Sequence, residues 1–208
     1  NHRRSRGYEG DWLAAGARPA YSVNMRLLIS LFASGLLLLA AGDAPADQKD
    51  PRLDELFGRL HSVEDGKQAR LIEGLIWRVW LETDSATVDL LMGRAVTAMS
   101  AERYRESLEL LDTIVQLAPD YAEGWNKRAT VRYLIGQDRA AIADVERTLE
   151  LEPRHFGALS GLGLIHKRLE NEAAALEAFE QALAVNPHLG HAQAEIKRLK
   201  RKVKGEKI

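Results

Sequence analysis

The sequence predicts an all-α solenoid of stacked helical hairpins, and three observations predict it. Prolines recur at Pro119, Pro153 and Pro187, 34 residues apart both times, and a fixed period of that length marks a stacked repeat rather than a closed globule. Small residues keep the same register, with Ala95, Ala129 and Gly163 in one column and Ser107, Ala141 and Ala175 in another. Larger apolar residues do so too, at Leu111, Val145 and Phe179.

Taken in order, the chain opens with residues 1–24, an Arg- and Gly-rich stretch that carries no apolar period and no initiator methionine. Met25 begins a different composition: a short basic start, an apolar run from Leu27 to Ala41, and the small-residue site Ala44-Pro45-Ala46. That order is the layout of a secretory signal peptide, and the run is short for a membrane span, which needs about 20 apolar residues. Residues 25–46 are therefore expected to be a signal peptide starting at Met25 and cut after Ala41 or Ala46. The expected location is periplasm-like, and the alternative is an uncleaved anchor in the inner membrane.

Residues 47–84 follow as a polar linker and two amphipathic helices. Leu53, Leu56, Phe57 and Leu60 form one i, i+3, i+4, i+7 stripe, and Ile72, Ile76, Val79 and Trp80 form a second, with a break around Glu64-Asp65-Gly66. Carrying the 34-residue frame backwards puts Glu73 and Trp80 at small positions and Ser85 at the proline position. The hairpin is thus either a degenerate repeat or an N-terminal cap, and either role protects the apolar face of the first repeat, as solenoid ends require. Trp77 and Trp80 are read as packing residues in preference to ligand-stacking ones.

Residues 85–190 hold the three repeats, each expected to be a pair of antiparallel helices: 88–101 with 104–117, 122–135 with 138–151, and 156–169 with 172–185. Asp120 with Glu123 predicts an Asp-x-x-Glu capping arrangement at the start of the second repeat. Gly136-Gln137 and Glu170-Asn171 supply turns, with Gln137 or Asp138 and Asn171 as N-caps. The prolines end the second helices, because proline cannot continue the hydrogen-bond ladder. Ala129, Ala141, Gly163 and Ala175 let paired helices approach closely. Residues 191–208 form a basic capping helix and tail. Leu189, Ala192, Ile196, Leu199 and Val203 make its stripe, and Lys197, Arg198, Lys200, Arg201, Lys202 and Lys204 fill its other faces.

These positions resemble the tetratricopeptide repeat (TPR), whose pattern runs from a large residue through a Leu-Gly/Ala pair and two small residues to a closing proline. The likeness covers about half the chain. It departs from the pattern in having a tryptophan only at Trp125, and in placing Ala98, Arg132 and His166 where an aromatic is usual. His166 is accordingly read as a helix-packing histidine. The resemblance implies a concave groove, lined by the first helix of each repeat, that holds an extended peptide or a partner helix. By position the groove residues are Met92, Val96 and Met99 in the first repeat, Asn126, Lys127, Thr130 and Tyr133 in the second, and Ser160, Leu164 and Lys167 in the third. Asn126 offers a donor and an acceptor to a backbone amide, and Lys127 and Lys167 offer charge to a carboxylate. Met92, Met99, Tyr133 and Leu164 offer adaptable apolar contact.

Composition excludes several functions. The chain has no cysteine, hence no thiolate metal site and no cysteine nucleophile. Between Asp47 and Ala194 there are 17 Lys and Arg against 25 Asp and Glu, which argues against nucleic-acid binding through the repeats. From Glu195 onward seven Lys and Arg face two Glu, so the tail offers a peripheral contact to anionic membrane or to the acidic body itself. No Gly-x-Ser-x-Gly, phosphate loop or His-Glu-x-x-His is present. His188 and His191 lack an evident third ligand for a metal, and pairs such as Glu146 with Glu150 read as solvated faces. The expectation is a non-enzymatic binding module or assembly scaffold with no cofactor and no metal. The alternative is a membrane-anchored accessory subunit of an envelope complex.

Overall fold

The structure, a computed structural model, describes residues 50–203, so the expected upstream segment 1–24, the signal peptide 25–46 and its cleavage sites lie outside the described residues. Helices α1 (Pro51–Ser62) and α2 (Gly66–Leu81) precede three helix pairs. The pairs are α3 (Ala86–Ser100) with α4 (Tyr104–Leu117), α5 (Ala122–Leu134) with α6 (Asp138–Leu151), and α7 (Phe156–Arg168) with α8 (Glu172–Val185). A last helix, α9 (Gly190–Val203), closes the array. Among the described residues no helix is long and apolar enough to cross a membrane.

Local chemistry fixes the ends. Asp50 accepts from the Arg52 N–H at 2.8 Å and Asp65 from the Lys67 N–H at 3.1 Å, which caps α1 and α2. Ser85, at the position of the missing proline, accepts from the Val88 N–H at 3.3 Å and caps α3. Asn171 caps α8, as expected, through the Ala174 N–H at 3.3 Å. Gln137 precedes α6 without a side-chain cap bond. The expected cap at Asp120 is not formed: Tyr121 occupies the N-cap position, and Asp120 reaches Arg147 at 3.4 Å instead.

The turn within each repeat is built the same way three times. Glu102, Gly136 and Glu170 adopt φ of 56°, 79° and 58°. The next amide of each turn donates back to Ala98, Arg132 and His166 carbonyls at 2.9, 2.8 and 2.9 Å. This is a left-handed helix end that returns orphan carbonyls to the ladder, and glycine is the unstrained choice there. The period therefore persists in backbone geometry at two positions where the residue type conceals it.

Between the helices of each pair the small column does what its steric logic requires. Ala141 and Ala175 are fully buried, Ser107 donates its hydroxyl to Ala95 O at 2.9 Å, and a Cβ on Gly163 would stand 2.7 Å from the Phe179 ring. Arg132, in place of an aromatic, joins Arg128 on the buried Asp144 at 2.8 and 2.7 Å. In α9, Ala192 and Leu199 are buried against Ala175 and Phe179, with Leu189 and Ile196 beside them. Two of its lysines meet the acidic body, Lys200 on Glu180 at 2.7 Å and Lys202 on Glu172.

The first helix pair packs mainly on the third repeat and reaches the first repeat's core through Tyr121, whose hydroxyl donates to Leu81 O at 3.3 Å. Leu53, Leu56, Phe57, Leu60, Ile72, Ile76, Val79 and Trp80 form one buried cluster with Phe156 of α7, flanked by Val185 and Leu189. The buried cluster of the first repeat contains no residue of α1 or α2. Polar contacts agree. Arg154 reaches Asp54 at 2.6 Å and lies over the Phe57 ring, Asn186 donates to Glu73 at 3.0 Å, and His188 Nε2 donates to Leu60 O at 3.1 Å. The cause is bulk. Trp77 and Trp80 need deep slots, and Gly157 and His155, at the start of the third repeat, provide them.

Candidate functional site

The site lies where α2 crosses the inner faces of α5 and α7. Trp77 seats its ring where a Cβ on Gly157 would be, 2.5 Å from its Cη2 atom. Trp80 is fully buried and stacks on the His155 ring with centroids 4.2 Å apart and planes 10° apart. Below them runs a buried polar chain. His155 Nδ1 accepts from the Ala158 N–H at 3.0 Å, so the ring proton sits on Nε2, which donates to Glu123 Oε2 at 3.0 Å. Asn126 Nδ2 donates to the same oxygen at 2.8 Å, and Lys127 Nζ lies 2.6 Å from Oε1.

Glu123 and His155 are both fully buried. Burial alone pushes the Glu123 carboxyl up, but the His155 hydrogen bond and the Lys127 charge outweigh it and hold the carboxyl below its ordinary range. Glu123 is thus an ionised anchor inside the fold, where a capping role had been expected.

Beside this anchor a cavity of about 450 Å³ remains between α2, α5, α7 and the turn into α9. Five expected groove residues line it together: Asn126, Thr130, Tyr133, Ser160 and Leu164. The other five do not. Met92 borders a separate depression between α2 and α3, and Val96 and Met99 pack on the core of the first repeat. Lys127 serves Glu123 and lies 5.2 Å from the Trp77 ring centroid, while Lys167 pairs with Glu195 of α9 at 2.7 Å. The two lysines expected to meet a ligand carboxylate therefore meet carboxylates of their own chain. The cavity also has walls that the groove reading missed: Glu73, Trp77, Phe156, Gly157, Gly161, Leu189 and His191. The Gly-x-x-x-Gly spacing of Gly157 and Gly161, one helical turn apart, was the visible trace of that open face.

The cavity is mostly apolar, with a few polar groups inside. Ser160 is only 6% exposed and its hydroxyl has no hydrogen-bond partner among the described residues. His188, the other half of the considered metal pair with His191, has its Nε2 on Leu60 O. Among the described residues no group of three or more His, Asp or Glu could hold a metal ion.

The sequence model of the tetratricopeptide repeat matches residues 157–198. A TPR repeat-containing protein of Rhizobium etli is 39% identical over 156 residues, which is 75% of this chain and 76% of that one. The chain belongs to the tetratricopeptide-repeat family. Solved TPR structures share its fold. The Sgt2 TPR domain of Aspergillus fumigatus superposes with a TM-score of 0.55 at 24% identity, covering 58% of this chain and 81% of that domain. MamA does so with a TM-score of 0.54 at 23% identity, covering 69% and 86%. The first TPR of Spaghetti, solved with the HSP90 peptide SRMEEVD, gives 0.56 at 17% identity, covering 58% and 96%. A TPR scaffold of this kind is suited to binding a protein or peptide.

For this TPR protein the orphaned hydroxyl gives a direct expectation. A buried polar group left unpaired costs about 1–3 kcal/mol. Ser160→Ala is therefore expected to leave the fold as stable, or to raise stability by up to about 1 kcal/mol in urea unfolding. A marked loss would show that the hydroxyl supports the fold rather than facing the cavity.

Proposed function

We propose that this TPR protein is a non-enzymatic adaptor of the cell envelope that seats a partner's peptide segment in the cavity between α2, α5 and α7. The carrying observation is the cavity itself: 450 Å³ of largely apolar space with Asn126 and the unpaired Ser160 hydroxyl inside it, the combination expected of a ligand pocket. Because Lys127 and Lys167 are already neutralised, the favoured ligand is an apolar side chain flanked by backbone amides, in preference to a terminal carboxylate. Envelope location rests on the layout from Met25 to Ala46. A membrane-anchored accessory subunit is the second reading, favoured by the apolar run from Leu27 to Ala41. N-terminal sequencing of the native protein separates them, since a start near Gly42 or Asp47 removes the anchor.

The cavity assignment is tested by a photo-crosslinking residue placed at Thr130, which is exposed at the cavity wall. In cells it is expected to give a discrete adduct that disappears when Ser160→Phe fills the cavity with helical circular dichroism unchanged. An adduct that survives Ser160→Phe places binding elsewhere.

A further inference from the structure

Helix α2 has a second face that the groove does not use. At roughly 100° per residue, Leu71, Gly74, Leu75 and Arg78 fall on a face beside the stripe of Ile72, Ile76, Val79 and Trp80 that is buried. Leu71 is 71% exposed and Leu75 39%. Isolated exposed leucines are ordinary, but these two flank a depression of about 560 Å³ whose rim adds Arg59 and Arg70. Adding a side chain at Gly74 would meet nothing within 4 Å, so the depression is open there down to the helix backbone.

The charge of this depression is opposite to that of the body around it. Three arginines line it and no acidic residue does, in a body where acids outnumber bases by 25 to 17. Arg59 has a single distant partner, Glu55 at 3.8 Å, which is itself 75% exposed. Arg70 and Arg78 form no ion pair among the described residues, a state they share with Arg94, Arg105 and Arg139, but neither Arg94, Arg105 nor Arg139 lines this depression. Guanidinium groups offer two parallel donors to a carboxylate, and an apolar floor between them strengthens that pairing by excluding water.

The geometry points to a docking site on the outer face of α1 and α2 for an acidic amphipathic helix of a partner protein. Its apolar residues would lie on Leu71 and Leu75 across the Gly74 notch, and its carboxylates would meet Arg59, Arg70 and Arg78. A concave seat with a notch the width of one side chain suits a helix, while an anionic bilayer presents a flat surface that cannot enter it. The site shares no residue with the cavity, whose α2 wall is Glu73 and Trp77, so the protein can hold two partners at once.

The test uses the full chain and a fluorescently labelled 14-residue helical peptide with leucines at i, i+3, i+4 and i+7 and glutamates elsewhere, against a counterpart with lysines. The Glu peptide is expected to bind at least tenfold more tightly than the Lys peptide by anisotropy. Arg70→Glu with Arg78→Glu, or Gly74→Leu alone, is expected to weaken it at least tenfold with unchanged circular dichroism. Equal affinity for the two peptides, or Glu-peptide binding indifferent to these substitutions, overturns the proposal. So does binding to phosphatidylglycerol vesicles through Arg70 and Arg78 without binding of the Glu peptide.

Discussion

Trp80→Ala is expected to be among the most damaging single substitutions in the chain, at about 3–5 kcal/mol, the range for truncating a buried aromatic. The ring is fully buried and sits within 6.0 Å, between centroids, of Phe57, Trp77, His155 and Phe156. It therefore joins α1, α2 and the start of α7 in one cluster, and its loss opens a cavity that four rigid rings cannot close. The damage should be directional. Hydrogen exchange in α1 and α2 is expected to accelerate first, because these helices reach the repeats through this cluster, while the pairing of α5 with α6 is untouched. Trp80→Phe provides the control. It keeps most of the ring contact and removes an indole N–H that has no partner among the described residues, so its cost is expected to stay below about 1.5 kcal/mol. Equal losses for the two substitutions would show that ring packing is not what docks the hairpin.

The repeats were legible because their determinants are local and periodic. Proline at 119, 153 and 187 and small residues at 107, 141 and 175 set the helix starts at 104, 122, 138, 156 and 172, which the structure reproduces. The placement of the first helix pair was not legible. Extending the frame backwards assumes that neighbours in sequence are neighbours in the stack, but Trp77 and Trp80 find their slots at Gly157 and His155, most of the array away. Nothing near Trp80 in the sequence encodes that. Glu123 is the intermediate case. Its spacing of four from Lys127 was a visible ion-pair signal, yet the same residue also completed a capping pattern with Asp120, and the two readings compete for one side chain. Burial decides between them: a carboxylate without exposure needs a charge partner more than a helix end needs a cap. Lys167 shows the limit, since Glu195 is 28 residues on and only the return of α9 brings it within 2.7 Å.

Glu123 leads to the second large effect, which appears as a dependence on pH. Its folded-state value lies below the ordinary carboxylate value of 4.5, so on acidification the unfolded chain takes up the proton first. The stabilisation is therefore complete above about pH 4.5 and is lost as pH falls from there through the depressed folded value. Glu123→Ala at neutral pH removes the anchor of His155 Nε2, Asn126 Nδ2 and Lys127 together, and breaking a buried pair in this way costs about 3–5 kcal/mol. Lys127 retains a route to solvent at 21% exposure, which places the expectation at the lower end, near about 3 kcal/mol. Glu123→Gln keeps an acceptor for His155 but cannot titrate. The stability difference between wild type and Glu123→Gln should shrink as pH falls below about pH 4.5. Urea unfolding of both proteins across that range measures it, and a gap that persists unchanged at pH 3 would mean that the fold does not hold the Glu123 carboxyl below its unfolded-state value. Because the same carboxylate holds Asn126 at the edge of the cavity and His155 beneath Trp80, acid should loosen the hairpin and reshape the pocket in a single step.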